Sequence, residues 1–209
     1  MQQANFRILS DHDVPQIVKL RKSAFQAYYK NAVNLSGLEW NRVDSVSVHL
    51  GVFIESELVS YFRLSVFASL KNIEVATQIK TPAEFKPPLA LLARAATHDD
   101  YLNQGFNSVL RYAALEICKQ NNIAVVLGSL EERSSRKAQL LDIGYEIVSR
   151  ITEWKDSYIK NEGDVILIAL KNINQIDIAI AKLKKSSGFQ QLKHPIQPEE
   201  LILNIQNWI

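Results

Sequence analysis

Leu89-Ala-Leu-Leu-Ala-Arg-Ala-Ala-Thr97, followed by His98-Asp-Asp-Tyr-Leu-Asn-Gln-Gly105 and then Phe106-Asn-Ser-Val-Leu-Arg-Tyr-Ala-Ala-Leu-Glu-Ile-Cys118, is the stretch on which the fold turns. Its first part is a mainly apolar run of strand length. Its last part returns Phe106, Val109, Leu110, Ala113, Ile117 and Cys118 at helical spacing and is closed by Asn121-Asn122. A strand that passes through a short loop into a helix presents unpaired backbone N–H groups at the positive end of the helix dipole. That arrangement suits a phosphate or pyrophosphate. Gly105 sits where the backbone must turn tightly or approach a ligand closely. An ordinary helix start has the same pattern, so its weight depends on the surroundings.

Upstream, Phe6–Leu9 reads as a strand and Ser10 to Asp13 as helix-cap residues before Pro15 in a first helical turn. Ile17, Leu20, Ala24, Phe25 and Tyr28 carry that helix to about Tyr29. Asn34 to Asp44 is expected as a loop or short helix. Val46–Glu55 and Leu58–Phe67 form a hairpin, and Lys71 to Pro88, with Pro82, Pro87 and Pro88, is expected as a long loop. Downstream come a strand at Ile123–Leu127, a helix at Arg133–Asp142 capped by Gly144, and strands at Tyr145–Trp154 and Val165–Leu170. Two amphipathic helices, Gln175–Lys185 and Glu199–Trp208, close the chain. The expectation is an α+β fold around a mixed sheet.

The chain has 209 residues, 47% of them apolar, enough for a sizeable core. Its 24 basic and 22 acidic side chains leave a net charge of +2, which argues against a dedicated nucleic-acid binder. The single cysteine, Cys118, excludes an internal disulfide framework, and its place on an apolar helix face makes it a core residue. His12, His49, His98 and His194 lack metal-ligand spacing, so no metal is expected. No apolar run is long enough for a membrane span, and Met1-Gln-Gln-Ala4 carries no secretory signal, so a cytoplasmic chain is expected.

In this order of elements the chain resembles the GNAT (general N-acetyltransferase) superfamily over about residues 5–171. The fold that the resemblance implies is a mostly antiparallel mixed sheet flanked by helices, with 1–171 as the acyltransferase domain and 172–209 as a C-terminal helical extension on it or on a partner subunit. The family's pyrophosphate loop, R/Q-x-x-G-x-G/A, matches Leu102-Asn103-Gln104-Gly105-Phe106-Asn107 only at its central Gly. The family's Tyr, four residues before a terminal Gly-Phe pair, is replaced by Leu140 before Gly144-Tyr145, so its usual general acid is missing. Leu20-Arg21 with Phe25, then Glu39 and Asp44, Arg63-Leu64, and Arg94 resemble in order and spacing the acyl-homoserine-lactone synthases and N-acyl amino acid synthases. The Glu expected three residues before that last Arg is Leu91, which argues against a literal lactone synthase.

The resemblance implies transfer of an acyl group, a fatty acyl one, from an acyl carrier protein or coenzyme A thioester to the amine of an amino acid or similar small molecule. The alternatives are an acetyl-coenzyme A-dependent N-acetyltransferase and a non-catalytic acyl-binding module. No permanently bound cofactor is expected; the thioester is a co-substrate. It would lie along the backbone of Ala95, Ala96 and Thr97, with its phosphate held by the backbone of Asn103, Gln104, Gly105, Phe106, Asn107 and Ser108. Candidate bases are His98, Asp99 and Asp100 after the fourth strand and Glu131 and Glu132 after the fifth. Arg63 and Arg94, on strands covered on both faces, need carboxylate partners, for which Asp44 and Glu39 are the candidates. Arg63 and Arg94 with Asp44 and Glu39 form an internal ion network, or an arginine among them orients a substrate carboxylate, or both hold with different arginines. Lys19, Lys22, Arg111 and Lys119, with Arg133, Arg136 and Lys137, are expected to ring the donor mouth for an acidic carrier.

Overall fold

In the computed structural model, which describes residues 3–30, 34–77, 80–151 and 164–203, the opening stretch is a strand and a helix as its pattern requires. The order is β1 (Ala4–Ile8), α1 (Val14–Tyr29), β2 (Val48–Ile54), β3 (Glu57–Phe67), α2 (Leu70–Thr77), β4 (Leu89–Thr97), α3 (Phe106–Gln120), β5 (Val125–Glu131), α4 (Arg136–Asp142), β6 (Glu146–Ile151), β7 (Val165–Leu170) and α5 (Ile173–Leu183). The strands make one sheet, ordered β1-β2-β3-β4-β5-β7-β6. β4 and β5 pair in parallel; the other neighbours pair antiparallel. The parallel pair exists because α3 carries the chain back across the sheet between them, where a tight hairpin would reverse it. This is the α+β mixed sheet that the element order implied, mostly antiparallel as the family resemblance implied.

One face of the sheet carries α3 and α4 over the main apolar cluster, which includes Leu64, Leu92, Val109, Leu110, Ile117 and Ile168. The other carries α1 over Phe53, Leu58 and Tyr61, and α2 over Phe67, Leu89 and Leu127. Each fully buried Leu or Ile contributes about 1.5–3 kcal/mol by leaving water. α3 is buried all round from Ser108 to Cys118, so its outer side also needs a cover. The chain after β7 supplies it. Asp177 of α5 meets Lys119 at 2.6 Å, Phe189 stacks edge-on against Tyr112, and Gln120 donates to the Pro198 carbonyl at 2.8 Å. Between these, Leu192 bridges to Ala4 of β1. The segment therefore runs up one side of α3, passes its start and returns.

Three expectations need correction. Residues 71–88 are not all loop, because α2 occupies Leu70–Thr77. Its signals are weak: Ile73 is its buried anchor, Val75 is exposed, and Ser69 caps it by accepting from the Asn72 N–H at 3.1 Å. The helix expected from Arg133 begins only at Arg136. A helix over Glu199–Trp208 gives way to a short 3-10 turn at Pro198–Leu201; residues 204–209 lie outside the described residues, as does Trp154.

Candidate active site

β4 and β5 pair over Leu89–Leu92 and Val125–Gly128, yet both strands continue, to Thr97 and Glu131. They part at a bulge. Tyr61 pairs with Ala96 and Arg63 with Ala93, so Phe62 faces two residues, Arg94 and Ala95. Arg94 takes φ 58°, a left-handed conformation that costs a side-chain-bearing residue about 1–2 kcal/mol. The extra residue bends β4 away from β5. Beyond it the other edge of β4 is held by β3, with Ser60 and Thr97 hydroxyls 2.9 Å apart. Among the described residues, nothing pairs with the β5-facing edge of Ala95, Ala96 and Thr97. An extended thioester arm can pair along that edge as a strand adds to a sheet.

The loop after β4 brings the helix start to the same end of the sheet. Gly105 caps α3 in the left-handed region, at φ 84° and ψ 3°. The Ser108 amide donates to the Gly105 carbonyl at 3.0 Å, so it closes the first helical turn instead of facing a ligand. The amides of Gly105, Phe106 and Asn107 precede it, where a helix has no internal acceptors. Asn103 is also left-handed, at φ 61°. Phe106 points its ring into the core and offers only backbone. The Asn107 side chain accepts from the Arg136 guanidinium, which brings α4 against the start of α3. Burial, and then the charge of Arg111, bring the Arg136 pKa down to about 10.

The base candidates separate by placement. His98 donates its backbone N–H to Val59, and its Nδ1 accepts from the Asp100 N–H at 3.3 Å, capping the turn Asp99–Tyr101. Asp99 and Asp100 are exposed. Glu131, the last residue of β5, is buried and 3.5 Å from Arg133 Nε. By strand alternation it shares the α2 face with Leu127. Glu132 instead takes Lys137 and Arg150 as partners at 3.1 and 3.2 Å, and the Arg150 hydrogen bond, with that of Lys137, lowers its pKa. His98 and Glu131 thus stand at the ends of the two strands that part.

On the α1 face the charged residues form one buried network. Arg21 binds both oxygens of Asp44, at 2.9 and 2.7 Å, and also donates to the Tyr61 hydroxyl. Arg63 reaches the same carboxylate at 2.7 Å. His49 closes the ring, with Nδ1 2.7 Å from the Tyr61 hydroxyl and Nε2 2.7 Å from the Asp44 carbonyl. Burial alone would raise the Asp44 pKa, but the hydrogen bond and charge of Arg21, helped by Arg63, outweigh it and bring the carboxyl to about 2. Burial lowers His49 to about 4 and raises Tyr61 to about 12. Two guanidiniums therefore share one carboxylate, and among the described residues the Nε of each has no hydrogen-bond partner. Arg94 lies apart, donating to the Gly37 carbonyl at 3.1 Å, and Glu39 pairs with Lys22 instead of an arginine of the sheet.

One further expectation changes and another holds. Arg111 does not line a rim: it is buried, donates to the Tyr145 hydroxyl at 2.9 Å and lies over the Phe62 ring. Cys118 is in the core, and burial pushes its thiol pKa up. Sequence reasoning missed His49 and Tyr61 as partners of Asp44. The signal was present in the hairpin register, which sets His49 opposite Arg63 and Tyr61 two residues before it on one face.

No protein-family model and no curated protein sequence matches the chain. Solved structures do. The coenzyme A-dependent acyl-homoserine lactone synthase BjaI, solved with SAM and isopentyl-CoA, superposes with a TM-score of 0.61 at 15% identity, covering 93% of this chain and 92% of its own. An N-acetyltransferase from Staphylococcus aureus gives 0.57 at 13% identity, covering 80% and 97%. A GNAT-family acetyltransferase from Streptococcus pneumoniae gives 0.53 at 13%, covering 80% and 98%. The fold is that of the GNAT acyltransferases. Among the described residues, no helix is long and apolar enough to cross a membrane.

Proposed function

We propose that this chain is an N-acyltransferase that moves a fatty acyl group from an acyl carrier protein or coenzyme A thioester to the amine of an amino acid or similar small molecule. The observation that carries it is the parting of β4 from β5 at the Arg94 bulge, directly before the Gly105 helix start. The wedge takes the pantetheine arm along Ala95–Thr97, and the amides of Gly105, Phe106 and Asn107 take its phosphate. The neutral amine attacks the thioester carbonyl, the carbon–sulfur bond breaks, and an amide and a free thiol form. Glu131 or His98, the latter with Asp99 beside it, accepts the amine proton, directly or through one water. The surplus positive charge of Arg21 and Arg63 over Asp44, with Arg94 on the neighbouring strand β4, suits an acceptor carboxylate. In this reading residues 1–171 are the catalytic domain and 172–209 its extension. The lactone synthase aligns over 93% of the chain and the acetyltransferases over about four fifths, which supports that branch of the fold.

The choice of donor has one observation on each side. The resemblance favours carrier protein. The burial of Arg111 and the pairing of Lys119 with Asp177 thin the basic rim that an acidic carrier needs, which favours coenzyme A. Incubation with long-chain acyl carrier protein or acyl-coenzyme A and a panel of amino acids, read by mass spectrometry, tests the assignment. An N-acyl product with either donor supports it. Acetyl transfer alone would replace it by an acetyltransferase, and no amide and no thiol release with any donor would overturn it.

A further inference from the structure

The donor loop is held in shape by a segment 83 residues further along the chain. Ser187 Oγ donates to the Gln104 carbonyl at 3.3 Å, and Gln191 Nε2 donates to the same oxygen at 2.7 Å. Between them Gly188 lies against Gly105. A Cβ on Gly105 would stand 2.5 Å from the Gly188 nitrogen, and one on Gly188 would collide with the Gly105 carbonyl. Both positions therefore require glycine, because two backbones touch there. The turn itself is fastened to α3: Phe189 sits edge-on to Tyr112 at 5.1 Å, and Lys184 Nζ lies 5.2 Å from that ring and 3.9 Å from Glu116.

In a trans peptide the carbonyl and the N–H point in opposite directions. Tying the Gln104 carbonyl to the 187–191 turn therefore aims the Gly105 N–H away from it. Gly105 in the left-handed region followed by right-handed Phe106 makes the successive amides of Gly105, Phe106 and Asn107 converge on one point, a concavity that binds anions. We propose that Gln191, assisted by Ser187 and Gly188, is a positioning residue for the acyl donor, fixing the peptide whose N–H group meets the donor's phosphate. This rests on the acyltransferase assignment. The ligand chemistry is the phosphate of a phosphopantetheine arm, which coenzyme A and acyl carrier protein share.

The test is Gln191→Leu, which keeps the side chain's bulk and removes its donor. For acyl-coenzyme A and acyl carrier protein in turn, the donor KM should rise about tenfold, the worth of one well-placed hydrogen bond. The kcat at saturating donor and the acceptor KM should stay near the parent values, and calorimetric titration with coenzyme A alone should show the same loss. A rise for only one of the two donors identifies the source of the phosphate. Gln191→Lys, which keeps an N–H donor, should recover part of the affinity, and Ser187→Ala should move it the same way by less. An unchanged donor KM overturns the proposal, as does a loss spread equally over kcat and both KM values with a falling melting temperature. If the parent protein itself binds neither donor, the acyltransferase assignment fails and this one with it. If the parent binds and Gln191→Leu binds as tightly, only the positioning role fails.

Discussion

Arg21 and Asp44, neither exposed to solvent, meet in a two-pronged contact at 2.9 and 2.7 Å that fastens α1 to the turn before β2. Parallel donation to both carboxylate oxygens fixes direction as well as distance, which a lysine could not do. Arg63 then adds a second guanidinium to the same carboxylate from β3. One carboxylate thereby joins a helix, a loop and the sheet, beside the strand that carries Arg94.

Removing that carboxylate should be costly. Asp44→Asn leaves two buried guanidiniums without a counter-charge and should destabilise the protein by about 3–5 kcal/mol, measured by chemical denaturation. Arg94→Ala should cost much less, because it leaves the Asp44 carboxylate paired with both Arg21 and Arg63. Its effect should appear in the acceptor KM. Equal destabilisation by both substitutions would make Arg94 part of the structural network.

Stability should fall in acid in two stages. His49 has a folded pKa of about 4 against 6.5, so between those values the unfolded chain binds more protons and stability drops as pH falls, by up to roughly 3 kcal/mol. Asp44 also has a depressed folded value, about 2 against 3.8, so its contribution is present above pH 3.8 and is lost as pH falls toward 2. Denaturant midpoints measured from pH 7 to pH 2 check this. His49→Phe should flatten the upper stage and leave the lower one.

Glu131 and Glu132 are adjacent in sequence and should behave differently. Glu131→Gln should lower kcat by about 10²–10⁴, with little change in melting temperature. Glu132→Gln should leave kcat unchanged, since its carboxylate is held by Lys137 and Arg150 at the surface. A normal kcat for Glu131→Gln, with His98→Ala inactive, would move the base to the other strand.

Arg111 should act as a core residue. Arg111→Ala loses a buried hydrogen bond and a ring contact and should cost about 1–3 kcal/mol in denaturation, with no change in the salt dependence of the carrier KM. A steep salt dependence abolished by this substitution would return Arg111 to the surface role expected from the sequence.

The sequence by itself determined the order of the seven strands and of α1, α3 and α4 among them, though not α2, together with the bounds of β4 and Gly105 as the start of α3, because local periodicity and turn chemistry act over a few residues. It also brought Asp44 and Arg63 together as a candidate pair, since a buried guanidinium must have a carboxylate. Only the tertiary structure decided that Arg21, Tyr61 and His49 complete that pair, that Glu39 serves Lys22, and that Arg111 is buried. It alone revealed the left-handed Arg94, since a bulge arises from the register of two strands and leaves no mark in the composition of either. The contact of Gly188 with Gly105 was equally hidden: the sequence marks Gly105 only as a tight turn or a close approach to a ligand, and the need for both glycines appears only when two distant backbones meet.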